Sequence, residues 1–499
     1  MDTESLQVNK IHVYEKRGTF MKQIIVIYDD SIMPEHEVKS ITGKKSFGDT
    51  IFKRVSLKRR MKDVIEKNPS VVIVLDYCKT EDYENIARQL RSMNENCVVV
   101  HLYSNYALAD TKAFEVLLAK AEYMNEDYMA QCDGRPAMLF LQGIDHYLKQ
   151  FESIIHRSFA VQCLETTAFM DLSNLNAFMD FITGGFDARF FNALLGDAYT
   201  VTKKSSKKEK IKSEYNFYYL LPDNMKMWFV MPFDYKEEKD FASYTMERYH
   251  MTDIAIRFVH GAVDEAEFKD ILDKLFYFIR IRKQKEVPKK EAEQVADSLY
   301  LDKLDARLKE LKAYEQYAYF NHLIKMGTEF ESLEEIIDWY KKLYRNLRKR
   351  RKDTSLVVGH GDLCFSNILY SKEANVLKLI DPKGALKEED LYMDLYYDLA
   401  KLSHSICGCY DFFNTALYQI SMNREMKISL SVDADPNSYK EIFGEYLKNN
   451  GFDVTLVRLY EASLFLSMLP YHMDQPGKVF GFIMNAIQIL KEVEECTQD

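Results

Sequence analysis

The sequence predicts an α/β unit followed by a two-lobed α+β body, a small β-rich lobe leading into a large helical one. Three observations predict it. The first 150 residues alternate short β-branched runs with stretches of helical spacing, the mark of a mostly parallel sheet with crossover helices. From about residue 165 the runs suggest a small antiparallel sheet carrying one helix. Beyond 253 nearly every stretch has helical spacing, apart from one window at 356–386. These changes set expected boundaries at 1–160 for a Rossmann-like α/β domain of unknown ligand, 165–252 for the small lobe and 253–499 for the helical lobe.

In the first domain QIIVIYDD (23–30), SVVIVLD (70–76) and CVVVHLYS (97–104) have the composition of strands buried on both faces, and AMLFL (137–141) offers a fourth. VSLKRRMKDVIEK and TEDYENIARQLRSMNE between them have helical spacing. Ligands of such sheets bind at the carboxyl ends of the strands, here near Asp29, Asp30, Asp76 and Ser104. GKKSFGDTIFKR (43–54) gathers glycines and cations but matches neither GxGxxG nor GxxxxGK[ST], so a solvated basic loop is the simpler reading. No chemistry is assigned to this domain.

The composition bounds the rest. A chain of 499 residues with 47% hydrophobic and 29% charged residues is globular and too long for one core. Its formal net charge of −10 argues against general nucleic-acid binding. Eight scattered cysteines without a zinc-type double CxxC, and a polar start, fit reduced thiols in a cytoplasmic protein. No apolar run approaches the roughly 20 residues a membrane helix needs.

In the small lobe NAFMDFIT, then Gly184–Gly185, then FDARFFNALLGDAYTVTKKS suggests three strands, with a second turn at Gly196–Asp197. KKEKIKSEYNFYYLLP has the pattern of one helix stopped by Pro222, and MKMWFVMPFDY and ASYTMERY resume the strands. The helical lobe follows with DEAEFKDILDKLFYFIRIR and SLEEIIDWYKKLYRNLRKRRKD among its helices.

The exceptional window holds the chemistry. LVVGHGDLCFSNILY puts one apolar strand before His360 and another after Asn367, and NVLKLIDPKG gives a third that ends at Asp381. A tight loop and a hairpin would bring Asp362, Asn367 and Asp381 into one small volume. Any one of them alone is an ordinary turn cap or strand end. Together, two carboxylates and an amide oxygen are the hard ligands Mg²⁺ prefers. Phosphoryl transfer needs such an ion together with a base that orients the attacking hydroxyl.

HGDLCFSN fits HxDxxxxN and LIDPKG fits the I-D-x-x-G metal loop, and in both the chain resembles the aminoglycoside phosphotransferase and choline kinase family, small-molecule relatives of protein kinases. The resemblance spans about 165–495 and implies a protein-kinase-like fold. It implies Asp362 as catalytic base, Asn367 and Asp381 as Mg²⁺ ligands, His360 as a brace of the loop, and Asp398 in DLYYDLAKL as its support from the next helix. It also asks for a strand lysine and a helix glutamate that orient ATP phosphates. AYTVTKKSS offers Lys203 and Lys204, with strand alternation favouring Lys203. Glu214 is the better helix partner and Glu209 the weaker. Gly184 and Gly185 stand where a phosphate-covering turn belongs, and Glu247–Tyr249 where the adenine-binding hinge belongs.

A substrate contact falls on His472 and Asp474 in MLPYHMDQP, with a core or helix-capping role as the plainer reading. Tyr396, Tyr397, Tyr410 and Phe412 are aromatic candidates for which core packing is the better expectation. The activity implied is ATP- and Mg²⁺-dependent phosphorylation of a hydroxyl on a small molecule such as a sugar, amino alcohol or related metabolite. By analogy this includes precursors of cell-surface polysaccharides or phospholipids. The alternative is a catalytically silent kinase-like fold that binds or regulates, motivated by the poor glycine turn and the doubled lysine.

Overall fold

The computed structural model of the chain describes residues 22–184, 192–197, 199–424 and 427–498. The chain forms two compact units, one from Met1–Ile32 and Lys58–Asp171, the other from Met33–Leu57 and Leu172–Asp499.

In the first unit six strands form one sheet: β1 (Gln23–Asp29), β2 (Val71–Tyr77), β3 (Cys97–Tyr103), β4 (Tyr128–Cys132), β5 (Arg135–Gln142) and β6 (Gln162–Glu165). Their order is β2-β1-β3-β5-β4-β6. β1 runs parallel to β2 and β3, and its β-branched residues are buried. The sheet is mostly parallel, with β1 parallel to β2 and β3 and β4 parallel to β6, and the exception is β5, which contains AMLFL and lies antiparallel to both β3 and β4. The cause is local. Asp133 and Gly134 both adopt positive φ, 52° and 72°, and reverse the chain in a two-residue turn.

At the carboxyl end of β1 the acids are fastened internally. Asp29 is buried, accepts from Ser31 Oγ at 2.6 Å and meets His101 Nε2 at 3.2 Å, while His101 Nδ1 contacts the Tyr147 hydroxyl at 3.0 Å. Asp30 pairs with Lys58 at 3.0 Å and Asp76 with Lys62 at 2.8 Å.

The second unit begins with a segment that precedes most of the first. Its helix α1 (His36–Thr42) offers the Ser40 carbonyl to Arg257 Nε at 3.0 Å, and Ile51 N donates to His260 Nε2 at 2.9 Å. At Gly43, φ is 62° and a Cβ would lie 2.5 Å from the His260 carbonyl oxygen, so a side chain has no room. The glycine-rich basic stretch is therefore packed into this unit around buried Phe47 and Thr50.

The run expected as the first small-lobe strand is instead helix α2 (Leu175–Gly184). Asn174 Oδ1 accepts from Asn176 N at 2.9 Å and Ala177 N at 3.3 Å, a side-chain cap, and Phe178 and Ile182 are buried one turn apart. Four strands then form an antiparallel sheet: β7 (Asn192–Gly196), β8 (Thr200–Ser205), β9 (Pro232–Glu237) and β10 (Ala242–Glu247), in the order β7-β8-β10-β9. Helix α3 (Lys208–Leu220) follows β8 and ends two residues before Pro222.

The helical lobe is built from α4 (Ile254–Val259), α5 (Glu265–Ile281), α6 (Lys303–Leu311), α7 (Leu333–Leu347), α8 (Tyr397–Ile406), α9 (Val454–Met468) and α10 (Pro476–Gln498), with further helices between. One core joins them to Phe217 and Phe229. Among the lobe's strands are β11 (Ser355–Val358), β12 (Ile368–Ser371) and β13 (Val376–Leu379), the last two an antiparallel hairpin. Leu379 N donates to the Trp228 carbonyl at 2.7 Å, so the stretch after α3 is fastened to the end of that hairpin. Among the described residues no helix is long and apolar enough to cross a membrane.

The buried Arg257–Glu267 pair, with contacts of 2.5 and 3.1 Å, holds α1, α4 and α5 together. Arg257→Met strands a buried carboxylate and should destabilise this unit by about 3 kcal/mol, most of it recovered by adding Glu267→Met. Urea unfolding followed by the fluorescence of Trp228 and Trp339 checks this, because both tryptophans of the chain lie in this unit.

Candidate active site

Alternation along β8 separates the two candidate lysines. Lys203 is 4% exposed, and its Nζ lies 2.7 Å from Glu214 Oε2 and 2.8 Å from Asp381 Oδ1. Lys204 leaves the strand on the opposite side and sits 3.2 Å above the centroid of the Phe241 ring. Lys203 is thus the lysine that meets both carboxylates. Burial alone would lower its pKa, but Asp381 and Glu214 outweigh that and hold it above the ordinary lysine value.

Glu214 arrives there because α3 buries Ile211, Glu214 and Phe217 along one face, while Glu209 is exposed. The Tyr244 hydroxyl on β10 also donates to it, at 3.2 Å. The loop carrying Asp381 packs directly on α3: Ala385 N donates to the Ser213 carbonyl at 2.9 Å. At Gly384, φ is 90° and a Cβ would meet Ser213 Oγ at 2.5 Å, so glycine is needed for this approach. Asp381 itself takes a left-handed φ of 54° and keeps its side chain 47% exposed.

The loop between β11 and β12 is held from below by Asp398, in the first turn of α8. Its buried carboxylate accepts from His360 N at 2.9 Å and Gly361 N at 2.8 Å, and Arg282 Nη1 donates to it at 3.2 Å. His360 stacks on Phe229 and its Nε2 meets the Ile380 carbonyl at 2.9 Å. Asn367 Nδ2 donates to the Asp362 carbonyl at 2.8 Å and to Asp362 Oδ2 at 3.1 Å. Ile380 N donates to the Asn367 carbonyl at 3.0 Å, which keeps Asn367 and Asp381 at the same end of the hairpin.

One functional contact was not read from the sequence. Lys401, on α8, places Nζ 2.8 Å from Asp362 Oδ1. Burial would raise the Asp362 pKa, but the Lys401 charge, its hydrogen bond and that of Asn367 bring it below the usual carboxylate value. The same pair raises Lys401 against its own burial. The available signal was the spacing: Lys401 follows Asp398 by three on one helix face.

The donor set fits a small divalent cation. With Asn367 Nδ2 committed to Asp362, its Oδ1 is left as an oxygen ligand, and the half-exposed Asp381 carboxylate, whose Oδ1 meets Lys203, adds its Oδ2. Among the described residues no group of three or more His, Cys, Asp or Glu side chains forms a separate metal cluster.

The other expected positions fall differently. Gly184 closes α2, and Gly185 lies outside the described residues. Glu247 is the exposed last residue of β10, and Lys378 stands 5.4 Å over the Tyr249 ring. His472 is buried edge-on against Phe482 at 5.3 Å, whereas Asp474 is exposed and accepts from Gln475 at 2.7 Å. Tyr396, Tyr397, Tyr410 and Phe412 belong to the core.

No family model and no curated protein matches the chain. Solved structures of small-molecule phosphotransferases do. Aminoglycoside phosphotransferase APH(4)-Ia is matched at 9% identity, covering 64% of this chain and 99% of that one, with a TM-score of 0.35. Aminoglycoside phosphotransferase APH(3'')-Id from Streptomyces rimosus, solved with ADP and streptomycin, is matched at 16% identity over 59% and 97%, with a TM-score of 0.31. Choline kinase from Cryptosporidium parvum is matched at 13% over 63% and 88%, with a TM-score of 0.32. The chain is similar to these proteins; at such values the likeness carries nothing about its chemistry, which rests on its own residues.

Lys203→Met leaves Glu214, 3% exposed, without its nearest cation and should cost about 3 kcal/mol in urea unfolding, while Lys204→Met loses a ring contact of about 1 kcal/mol or less.

Proposed function

We propose that the second unit is an ATP- and Mg²⁺-dependent phosphotransferase that phosphorylates a hydroxyl of a small molecule. The observation that carries this reading is the convergence at Lys203, whose ammonium touches the helix glutamate Glu214 and the loop aspartate Asp381 together. A strand lysine so oriented presents a fixed point charge to ATP phosphates. Asn367 and Asp381 would hold Mg²⁺, which when bound would supply charge neutralisation for the transferred phosphate. The small lobe, 165–252, would carry the nucleotide and the helical lobe, 253–499, the base and the acceptor.

Asp362 is the base. Asn367 and Lys401 fix its carboxylate, which orients the acceptor hydroxyl and takes its proton as the oxygen bonds to the γ-phosphorus and the bond to the ADP oxygen breaks. Asp398 acts only through the loop, by tying down His360 N and Gly361 N. Against a silent fold, which would be expected to have lost one of these groups, the chain carries Asp362, Asn367 and Asp381.

Two outcomes test the reading. Mg-ATP should raise the melting temperature of the full chain, Asp381→Ala should abolish that shift, and Asp362→Asn should keep it while turnover falls by about 10²–10⁴-fold. No shift with millimolar Mg-ATP would overturn the proposal. Because the Lys401 charge lowers the Asp362 pKa, kcat/KM should persist into acid and fall as pH drops through that lowered value. Lys401→Met removes the opposing charge, so the acid limb of the profile should move to higher pH.

A further inference from the structure

The surroundings of Asp362 in the helical lobe hold more positive charge than the transfer itself uses. Lys401 and Tyr397 lie one turn apart on α8. The Tyr397 hydroxyl accepts from Lys303 Nζ, on α6, at 3.0 Å, and the same ammonium stands 5.5 Å from the ring centroid. A line therefore runs from Asp362 through Lys401 and Tyr397 to the half-buried Lys303. Among the described residues Lys303 meets a neutral phenol and no carboxylate.

Behind this line His404 is fully buried, stacked on Tyr410 at 4.2 Å, and neither ring nitrogen has a hydrogen-bond partner. Burial, then the charges of Lys401, His472, Lys478 and Lys303, hold it well below the ordinary histidine pKa. Three lysines and a second histidine thus act on one imidazole. Of the acids beside these lysines, Asp362 is already engaged by Lys401, and Asp411, which feels the Lys478 charge, has a carboxyl that burial pushes up to about 6. The balance is positive. An acceptor with a quaternary ammonium would be repelled here, a neutral polyol would leave the charge uncompensated, and an anion would be attracted.

We infer that the acceptor carries an anionic group beside its hydroxyl, a phosphate monoester or a carboxylate, and that Lys303 receives it. This rests on the phosphotransferase reading and narrows it to one class of substrate.

The test is a thermal-shift titration of the full chain saturated with Mg-AMP-PNP. The probes are glycerol 3-phosphate, glycerate and glucose 6-phosphate, set against glycerol, glucose and choline. At least one anionic probe should bind tenfold or more tightly than its neutral counterpart, and glycerol 3-phosphate against glycerate separates phosphate from carboxylate. Lys303→Met should remove that tenfold preference and Lys303→Arg should retain it, with the nucleotide shift in the same samples reporting that each variant is folded. Equal binding of anionic and neutral probes, tighter binding of choline, or an anion preference that survives Lys303→Met would overturn the inference. If Mg-AMP-PNP gives no shift in the wild type, the phosphotransferase reading itself fails, and this inference with it.

Discussion

The loop that carries Asp362 hangs on one buried carboxylate. Asp398 accepts two consecutive backbone N–H groups, from His360 and Gly361, and is held in turn by Arg282. Two parallel acceptances from adjacent amides fix the direction of the chain as well as its position. The next residue, Asp362, therefore has little freedom in where its carboxylate can point. Arg282 and Asp398 are both fully buried, so neither can be replaced singly without stranding the other's charge.

On that base the site is assembled as two charge pairs of different character. Lys203 with Glu214 and Asp381 belongs to the β-rich lobe and the hairpin end, and Lys401 with Asp362 to the helical lobe. In both, an ammonium that is buried at Lys203 and mostly covered at Lys401 fixes a carboxylate on a loop, and both loop carboxylates remain close to half exposed. Burying the cations and leaving the anions accessible keeps the geometry rigid while the oxygens stay open to ligands.

How much could be read from the sequence depended on the range over which each contact is set. Asp362, Asn367 and Asp381 lie on one loop and one hairpin, so spacing alone brought them together. Alternation in β8 pointed to Lys203 over Lys204 for the same reason. The contact of Lys401 with Asp362 joins separate elements and needs the packing of α8 under the loop, which no local pattern expresses. The misread of 176–183 as a strand came from its apolar composition; the Asn174 cap and the one-turn spacing of Phe178 and Ile182 were the better signals. Strand–helix alternation pointed to the mostly parallel sheet of the first unit, and its single reversed strand was written in the hairpin dipeptide Asp133–Gly134.

The excursion at 33–57 has a consequence for anyone handling the gene. The polypeptide passes between the two units at Ile32–Met33, at Leu57–Lys58 and at Asp171–Leu172, so neither is encoded by one uninterrupted stretch. A clone that starts at residue 172 would remove the acceptor of the Arg257 Nε bond and the donor to His260, together with helix α1, which packs against α4. Such a fragment invites misfolding on expression, and an inactive preparation of it would say nothing about the chemistry of the intact chain.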